Sequence, residues 1–277
     1  MKIGLIQLDS GDDVEANLSQ AEASVRDAAE RGAEFIVLPE VMHLRVGPAL
    51  SARYAAAAEP IPGPTTERFG ALANELGVYL LLGSMGEASD DPTRTYNTSV
   101  LIEPGRSVLA RYRKLHLFDV SVDDETGDRE SDRYLPGDEV ISTKTRWGRV
   151  GLTICYDLRF AELYRTLALQ GARVVFVPAN FTKATGEAHW MMLLRARAIE
   201  NGLFIVAPAQ CGRFLGGFEA FGHSTVIDPW GRVLVEHDDA PGVSLIELDL
   251  NEVDRVRQAI PVLHHLRSDV YRVGLSD

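Results

Sequence analysis

Two cysteines in 277 residues, Cys155 and Cys211, are too few for a disulfide framework, so a reducing cytoplasm is the expected setting. Long hydrophobic runs are also missing. Met1-Lys2-Ile3-Gly4-Leu5-Ile6-Gln7-Leu8-Asp9 is too short an apolar start for a signal peptide, and no segment approaches the roughly 20 apolar residues of a membrane span. Positive charge is scarce: 28 Lys and Arg stand against 40 Asp and Glu. The formal net charge of -12 argues against nucleic acid or an anionic membrane as the main partner. No G-x-G-x-x-G follows a strand, so no dinucleotide site is expected and a redox or aldehyde-oxidising enzyme is unsupported. Nor is there a convincing ligand cluster for a metal. His264 and His265 are adjacent and diverge on any regular element, while His116, His189 and His223 lie far apart in sequence. No cofactor is expected. Hydrophobic content of 45% with 25% charged residues is that of a soluble globular protein long enough to bury a sizeable core.

The chain alternates helix and strand periodicities. Val14, Leu18, Ala21, Val25 and Ala28 recur at three- and four-residue intervals and predict a helix that Gly32 ends. Phe69, Leu72, Ala73 and Leu76 predict a second, closed by Gly77 and N-capped by Thr65 or Thr66. Phe160, Leu163, Leu167 and Ala168 predict a third. Trp190, Leu193, Leu194 and Ala198 predict a fourth, with Arg195 and Arg197 pointing elsewhere. Strands are expected at Phe35–Leu38, Val78–Leu82, Val108–Tyr112, Leu203–Ala207 and Val243–Leu248. The punctuation repeats. Arg31-Gly32-Ala33-Glu34 before Phe35–Pro39 matches Gln170-Gly171-Ala172-Arg173 before Val174–Pro178. Val100-Leu101-Ile102-Glu103-Pro104-Gly105-Arg106 likewise resembles Val226-Ile227-Asp228-Pro229-Trp230-Gly231-Arg232. One α/β domain of two similar halves, spanning 1–277, is the reading. The acidic, irregular stretch Asp119–Asp138 and the Gly-rich Cys211–Gly222 are the candidate mobile walls of a site.

Three residues at strand ends carry the chemistry. Cys155 ends the apolar run Val150–Ile154 and is followed by Tyr156-Asp157-Leu158-Arg159-Phe160, which reads as the start of a helix. A thiol on that corner would face a helix N-terminus, whose free N–H groups and dipole favour thiolate. Glu40 closes Phe35–Glu40, and Lys114 lies in Arg111-Tyr112-Arg113-Lys114-Leu115-His116. Taken singly, such residues are more often an inert buried cysteine, a surface carboxylate and an exposed lysine. Together, a thiol, a carboxylate and an amine suffice to hydrolyse an amide through a covalent intermediate. Cys155 would be the nucleophile and Glu40 would carry the proton. Lys114 would stabilise the oxyanion, with the backbone N–H after Cys155 as second donor.

The segments around these residues resemble the nitrilase superfamily of carbon–nitrogen hydrolases. The resemblance rests on Phe35–Glu40, on Tyr112-Arg113-Lys114-Leu115-His116-Leu117-Phe118-Asp119 and on Gly151–Leu163, in that order, and it runs over essentially the whole chain. It implies an α-β-β-α sandwich that pairs through its helical faces into a homodimer or larger homo-oligomer. It also implies a second glutamate after the lysine, and Arg129-Glu130-Ser131 before Leu135-Pro136-Gly137-Asp138 puts Glu130 in that role.

Within the superfamily the chain resembles the branch of omega-amidases and deaminated glutathione amidases. Thr185–Trp190, Arg195–Glu200, Ala209–Arg213 and Phe221–Gly231 carry this finer likeness, and Ala161 departs from the proline usual after Arg159-Phe160. The expected substrate is a small primary amide with a carboxylate at its far end: deaminated glutathione or a 2-oxo dicarboxylate monoamide. Arg159, one helical turn beyond the nucleophile, is the first candidate for that carboxylate, with an ion pair to Glu162 or Asp157 as its equal alternative. Arg213 is the second. Tyr156, Asn180 and Thr182 are candidates for the rest of the substrate. A nitrile or N-carbamoyl hydrolase, or a binding protein that has lost catalysis, remain the alternatives.

Overall fold

The computed structural model describes residues 1–106, 108–121 and 127–271. Five strands of the first half are β1 (Lys2–Gln7), β2 (Phe35–Val37), β3 (Tyr79–Glu87), β4 (Thr95–Ile102) and β5 (Val108–Arg113). The second half contributes β6 (Ser142–Thr145), β7 (Gly148–Leu152), β8 (Val174–Phe176), β9 (Phe204–Ala207), β10 (Thr225–Ile227) and β11 (Val233–Glu236); β12 (Gly242–Glu247) follows. The longer helices are α1 (Val14–Glu30), α2 (Pro64–Leu76), α3 (Ala161–Leu169), α4 (Met191–Asn201) and α5 (Asn251–Ala259). One sheet runs β12-β1-β2-β3-β4-β5 and the other β6-β7-β8-β9-β10-β11.

The duplication read from the sequence is present element by element. β1, β2 and β3 are parallel neighbours joined by α1 and α2, and β7, β8 and β9 are parallel neighbours joined by α3 and α4. Each sheet then closes with an antiparallel hairpin, β4–β5 or β10–β11, and carries an antiparallel strand at its other edge, β12 or β6. The repeated Gly-Ala steps have the same cause: Gly32 (φ 91°) and Gly171 (φ 93°) take left-handed backbone that a side chain resists.

Side-chain alternation then builds four layers. Ile3, Leu5, Phe35, Val37 and Leu81 share a buried core with Leu152, Phe176 and Phe204 of the other sheet. Phe35 stacks on Phe176 across the sandwich at 4.7 Å between ring centroids. On the opposite face of the first sheet, Ile6, Ile36, Leu80 and Leu82 pack with Leu18, Ala21 and Val25 of α1 and with Phe69, Leu72 and Ala73 of α2. Each such buried aliphatic or aromatic side chain contributes about 1.5–3 kcal/mol of transfer free energy. This is the expected α-β-β-α sandwich.

Local expectations needed correction where tertiary partners intervene. Residues after Cys155 do not start an α-helix. Cys155–Arg159 form a 3-10 turn, Phe160 is extended (φ -106°, ψ 90°), and α3 begins only at Ala161. Thr65 and Thr66 lie inside α2, whose N-cap is Gly63 with Pro64 behind it; the Gly63 N–H donates to Thr66 Oγ1 at 2.8 Å. Arg197 points inward, its Nε donating to Leu158 O at 2.9 Å and tying α4 to the Cys155 corner. Nor is Asp119–Asp138 irregular throughout. Asp119–Ser121 pairs with Gly127–Arg129, and Tyr134–Leu135 adds in parallel to β4.

One buried group gives the fold a pH dependence. His43 is enclosed, Gly86 N–H donates to its Nε2 at 3.3 Å, and its Nδ1 has no partner among the described residues. Burial pushes this imidazole from its usual 6.5 down to about 4. Below pH 6.5 the unfolded chain therefore takes up a proton that the folded chain refuses. Stability present above 6.5 is lost as pH falls towards 4, by up to about 1.4 kcal/mol per pH unit. Thermal unfolding between pH 7.5 and 4.5 should show a steeper loss in the wild type than in His43→Gln. Parallel curves would remove His43 from this account.

Candidate active site

The C-terminal ends of β2 and β7, which have parallel neighbours, and of the hairpin strand β5 meet at one cleft; open α/β sheets commonly hold their ligands at such strand ends. Glu40 lies three residues beyond β2, Lys114 directly after β5, and Cys155 three residues beyond β7. The approach to Glu40 needs a glycine in the neighbouring strand. A Cβ on Gly83 would lie 2.0 Å from Leu38 O and 2.1 Å from Pro39 O, so β3 can pass against that backbone only without a side chain. Val41 and Cys155 both hold left-handed backbone (φ 49° and 47°), which is costly for residues with a Cβ and places strain on both sides of the cleft.

Lys114 is the hub. Its Nζ lies 3.0 Å from Glu40 Oε1 and 2.8–2.9 Å from the two oxygens of Glu130, with only 1% of the lysine side chain exposed. Glu40 Oε1 also accepts from Asn97 Nδ2 at 2.8 Å, and its Oε2 accepts the Asn180 N–H at 2.7 Å. Glu130 Oε2 accepts the Phe118 N–H at 2.8 Å. The Lys114 ammonium thus donates to both carboxylates, and Glu40 in addition accepts from both halves of the chain, Asn97 in the first and Asn180 in the second.

Charge follows from this enclosure. Burial would push Lys114 down, but Glu130 and Glu40 outweigh it and keep the ammonium protonated well above its ordinary range. Burial raises Glu130, an effect that Lys114 opposes. The Cys155 thiol is pushed well above its ordinary value, first by burial and then by Glu40, with Lys114 pulling the other way. The expectation that a helix N-terminus favours thiolate is therefore overturned. The corner is a five-residue 3-10 turn, and burial together with Glu40 favours the protonated thiol, for which a base is needed.

Around these groups lies a cleft of about 580 Å³, with Tyr54, Phe118, Tyr134, Tyr156, Phe181 and Phe214 among its walls. Tyr156, Asn180 and Thr182 line it, as does Arg133. Among the described residues the Tyr156 N–H has no acceptor, whereas the Cys155 N–H is taken by Pro178 O at 2.9 Å.

A profile described as carbon-nitrogen hydrolase matches residues 2–258. The chain belongs to the carbon-nitrogen hydrolase family. It is 37% identical to human omega-amidase NIT2 over 274 residues, covering 99% of this chain and 98% of that one. It is 39% identical to human deaminated glutathione amidase, over 97% of this chain and 83% of that one. A solved structure of the amidase from Nesterenkonia sp. AN1 superposes with a TM-score of 0.82 at 25% identity, over 99% of this chain and 97% of that one. That structure is a glutamate-to-glutamine variant with the acetamide moiety of fluoroacetamide covalently added at its active-site cysteine.

In this carbon-nitrogen hydrolase both candidate walls reach the site. Asp128, Glu130, Arg133 and Tyr134 line the cleft from one segment, Phe214 and Phe218 from the other; residues 122–126 of the first lie outside the described residues. The two arginines proposed for a substrate carboxylate are placed differently. Arg159 does not line the cleft. Its guanidinium stands 5.8 Å from the Tyr156 ring centroid and 5.3 Å from that of Phe181, and Nη1 lies 3.4 Å from His189 Nδ1. The alternative pairing of Arg159 with Asp157 is not formed either, because Asp157 is fully buried and held by other donors. Arg213 does not line the cleft either; it lies in an adjoining surface depression with Lys183, Glu187 and Glu219, which shares Thr182 and Phe218 with the cleft, and stands 3.6 Å from Glu219. Sequence reasoning missed Asn97, Tyr54 and Arg133. Arg133 is paired with Asp128, Nη1 to Oδ1 at 2.7 Å, and its guanidinium sits 5.2 and 5.5 Å from the rings of Tyr134 and Tyr54. Cys211 is buried away from the cleft lining, its thiol donating to Leu8 O at 3.3 Å.

Proposed function

We propose that this chain is a cysteine-dependent amidase that hydrolyses a small, carboxylate-bearing primary amide to the acid and ammonia through a thioester on Cys155. The observation that carries the reading is the bridging of two buried carboxylates by one buried ammonium beside a thiol at the floor of a cleft. Glu40 removes the thiol proton as Sγ attacks the amide carbon. The oxyanion is met by the Lys114 ammonium and the Tyr156 N–H. Glu40 then returns its proton to the nitrogen, the carbon–nitrogen bond breaks and ammonia leaves. In the second half Glu40 takes a proton from water, whose oxygen attacks the thioester carbon. The carbon–sulfur bond breaks, the acid is released and the proton returns to sulfur. Glu130 holds Lys114 charged and in place.

Deaminated glutathione or a 2-oxo dicarboxylate monoamide is the proposed substrate, in keeping with the names of the relatives. Asn180 and Thr182 contact the amide or 2-oxo group, Tyr156 forms a wall, and Arg213 in the adjoining depression meets the far carboxylate. The enzyme works as one domain in a reducing cytoplasm, as a homodimer or larger homo-oligomer formed through its helical faces. Exposed Leu169, Met192 and Ile199 on α3 and α4 support that pairing.

A buried charge-assisted contact to a carboxylate contributes about 1.5–3 kcal/mol, but the Arg213 side chain is 66% exposed beside Glu219, and an ion pair at such a site contributes about 0.2–1 kcal/mol, up to about fivefold in binding. Amides with a terminal carboxylate should therefore exceed matched neutral amides by that factor in kcat/KM. Arg213→Gln should lose most of the preference and Arg159→Gln little of it. The panel includes nitriles and N-carbamoyl compounds. Equal kcat/KM for charged and neutral amides in the wild type would remove the carboxylate from the substrate class.

A further inference from the structure

We infer that Asp157 is a positioning residue that locks the lysine segment onto the cysteine segment. Its side chain is fully buried. Oδ2 accepts from Tyr112 Oη–H at 2.7 Å and from the Ile154 N–H at 2.8 Å. Oδ1 accepts the His116 N–H at 3.1 Å and lies 2.7 Å from His116 Nδ1. Tyr112 and His116 stand two residues either side of Lys114, while Ile154 and Asp157 bracket Cys155. One carboxylate thus holds both flanks of the ammonium and one flank of the nucleophile. The two segments leave β5 and β7, strands of different sheets and different halves of the duplication.

The surroundings suit a fixed strut. Burial, then the Asp157 charge, keeps the Tyr112 hydroxyl protonated well above its ordinary range, so it remains a donor. The His116 ring lies flat on Phe160 at 3.5 Å with an 8° interplanar angle, which keeps the imidazole against the carboxylate. The Cys155 thiol's character is set chiefly by burial, Glu40, Lys114, Glu130 and the Asn180 N–H, whereas Asp157 touches the lysine and cysteine segments through hydrogen bonds. Its contribution is therefore distance and angle between Lys114, Glu40 and Sγ. A misplacement of about 1 Å at reacting groups can cost on the order of a hundredfold in rate.

The inference rests on the amidase reading, and the test separates the two. The assay compares the wild type with Asp157→Asn and Tyr112→Phe, with kcat expressed per Cys155 that iodoacetamide labels by intact mass. Asparagine keeps one acceptor oxygen but turns N–H groups towards donors; Tyr112→Phe removes a single bond from the same carboxylate. At temperatures well below unfolding, Asp157→Asn should lower kcat at least tenfold with KM within twofold. Tyr112→Phe should lower it about threefold to tenfold, also with KM unchanged. If Asp157→Asn does not fold, Tyr112→Phe carries the test. A merely structural role would lower the melting temperature or the labelled fraction and leave kcat per labelled thiol at the wild-type value in every folded variant, and that result overturns the inference. A wild type inactive on the amide panel would instead overturn the amidase reading.

Discussion

Cys155→Ala should leave no measurable amide hydrolysis while the protein melts within a few degrees of the wild type. The backbone bond from Cys155 N–H to Pro178 O does not depend on the side chain, and alanine meets the left-handed φ no worse than cysteine does. What disappears is the atom that forms the thioester. Without it Glu40 and Lys114 face the amide with no nucleophile, and losses of about 10⁴-fold or more are usual when a covalent nucleophile is deleted. Ammonia release under steady-state conditions, with a thermal melt of the same sample, checks both halves. Activity within tenfold of the wild type would place the nucleophile elsewhere.

The second large effect belongs to Lys114. Lys114→Arg should remain inactive although it keeps the charge. The pocket around Nζ is closed, with Glu40 Oε1 at 3.0 Å and Glu130 Oε2 at 2.8 Å, and a planar guanidinium is bulkier than the ammonium it replaces. Deleting an oxyanion donor alone costs about 10²–10³ in kcat, and displacing Glu40 adds to it. The neighbouring carboxylates should separate by role. Glu40→Gln abolishes proton transfer and should rank with Cys155→Ala. Glu130→Gln leaves Glu40 to hold the ammonium and should be milder by at least tenfold. Kinetics of the three variants on one amide decide the matter; a fully active Glu40→Gln enzyme would falsify the general-base assignment.

Much of the fold was legible because its signals are local. A glycine that must take left-handed backbone before an apolar strand marks Gly32 and Gly171 alike, and the strand-end residues Glu40 and Cys155 stand out against buried runs, whereas Lys114 follows a half-exposed, basic strand. What stayed hidden was settled by distant partners. The turn after Cys155 is wound tightly because the Asp157 carboxylate binds Ile154 N–H together with groups forty-odd residues upstream, Tyr112 and His116. That turn, and the extended Phe160 after it, also explain why Arg159 fails as a pocket residue. Counting one helical turn from the nucleophile assumes an α-helix that is absent there. Asn97 and Arg133 have no local signature either. Asn97 touches Glu40 only through the pairing of sheet strands, and Arg133 enters the cleft wall because Asp128 grips it.

The most direct test of a thioester on Cys155 is intact-mass spectrometry of the enzyme quenched during turnover of a slow amide, followed by peptide mapping. An acyl adduct on Cys155, with Cys211 unmodified, is the predicted result. An adduct on Cys211 alone, or turnover with Cys155 never acylated, would contradict the account.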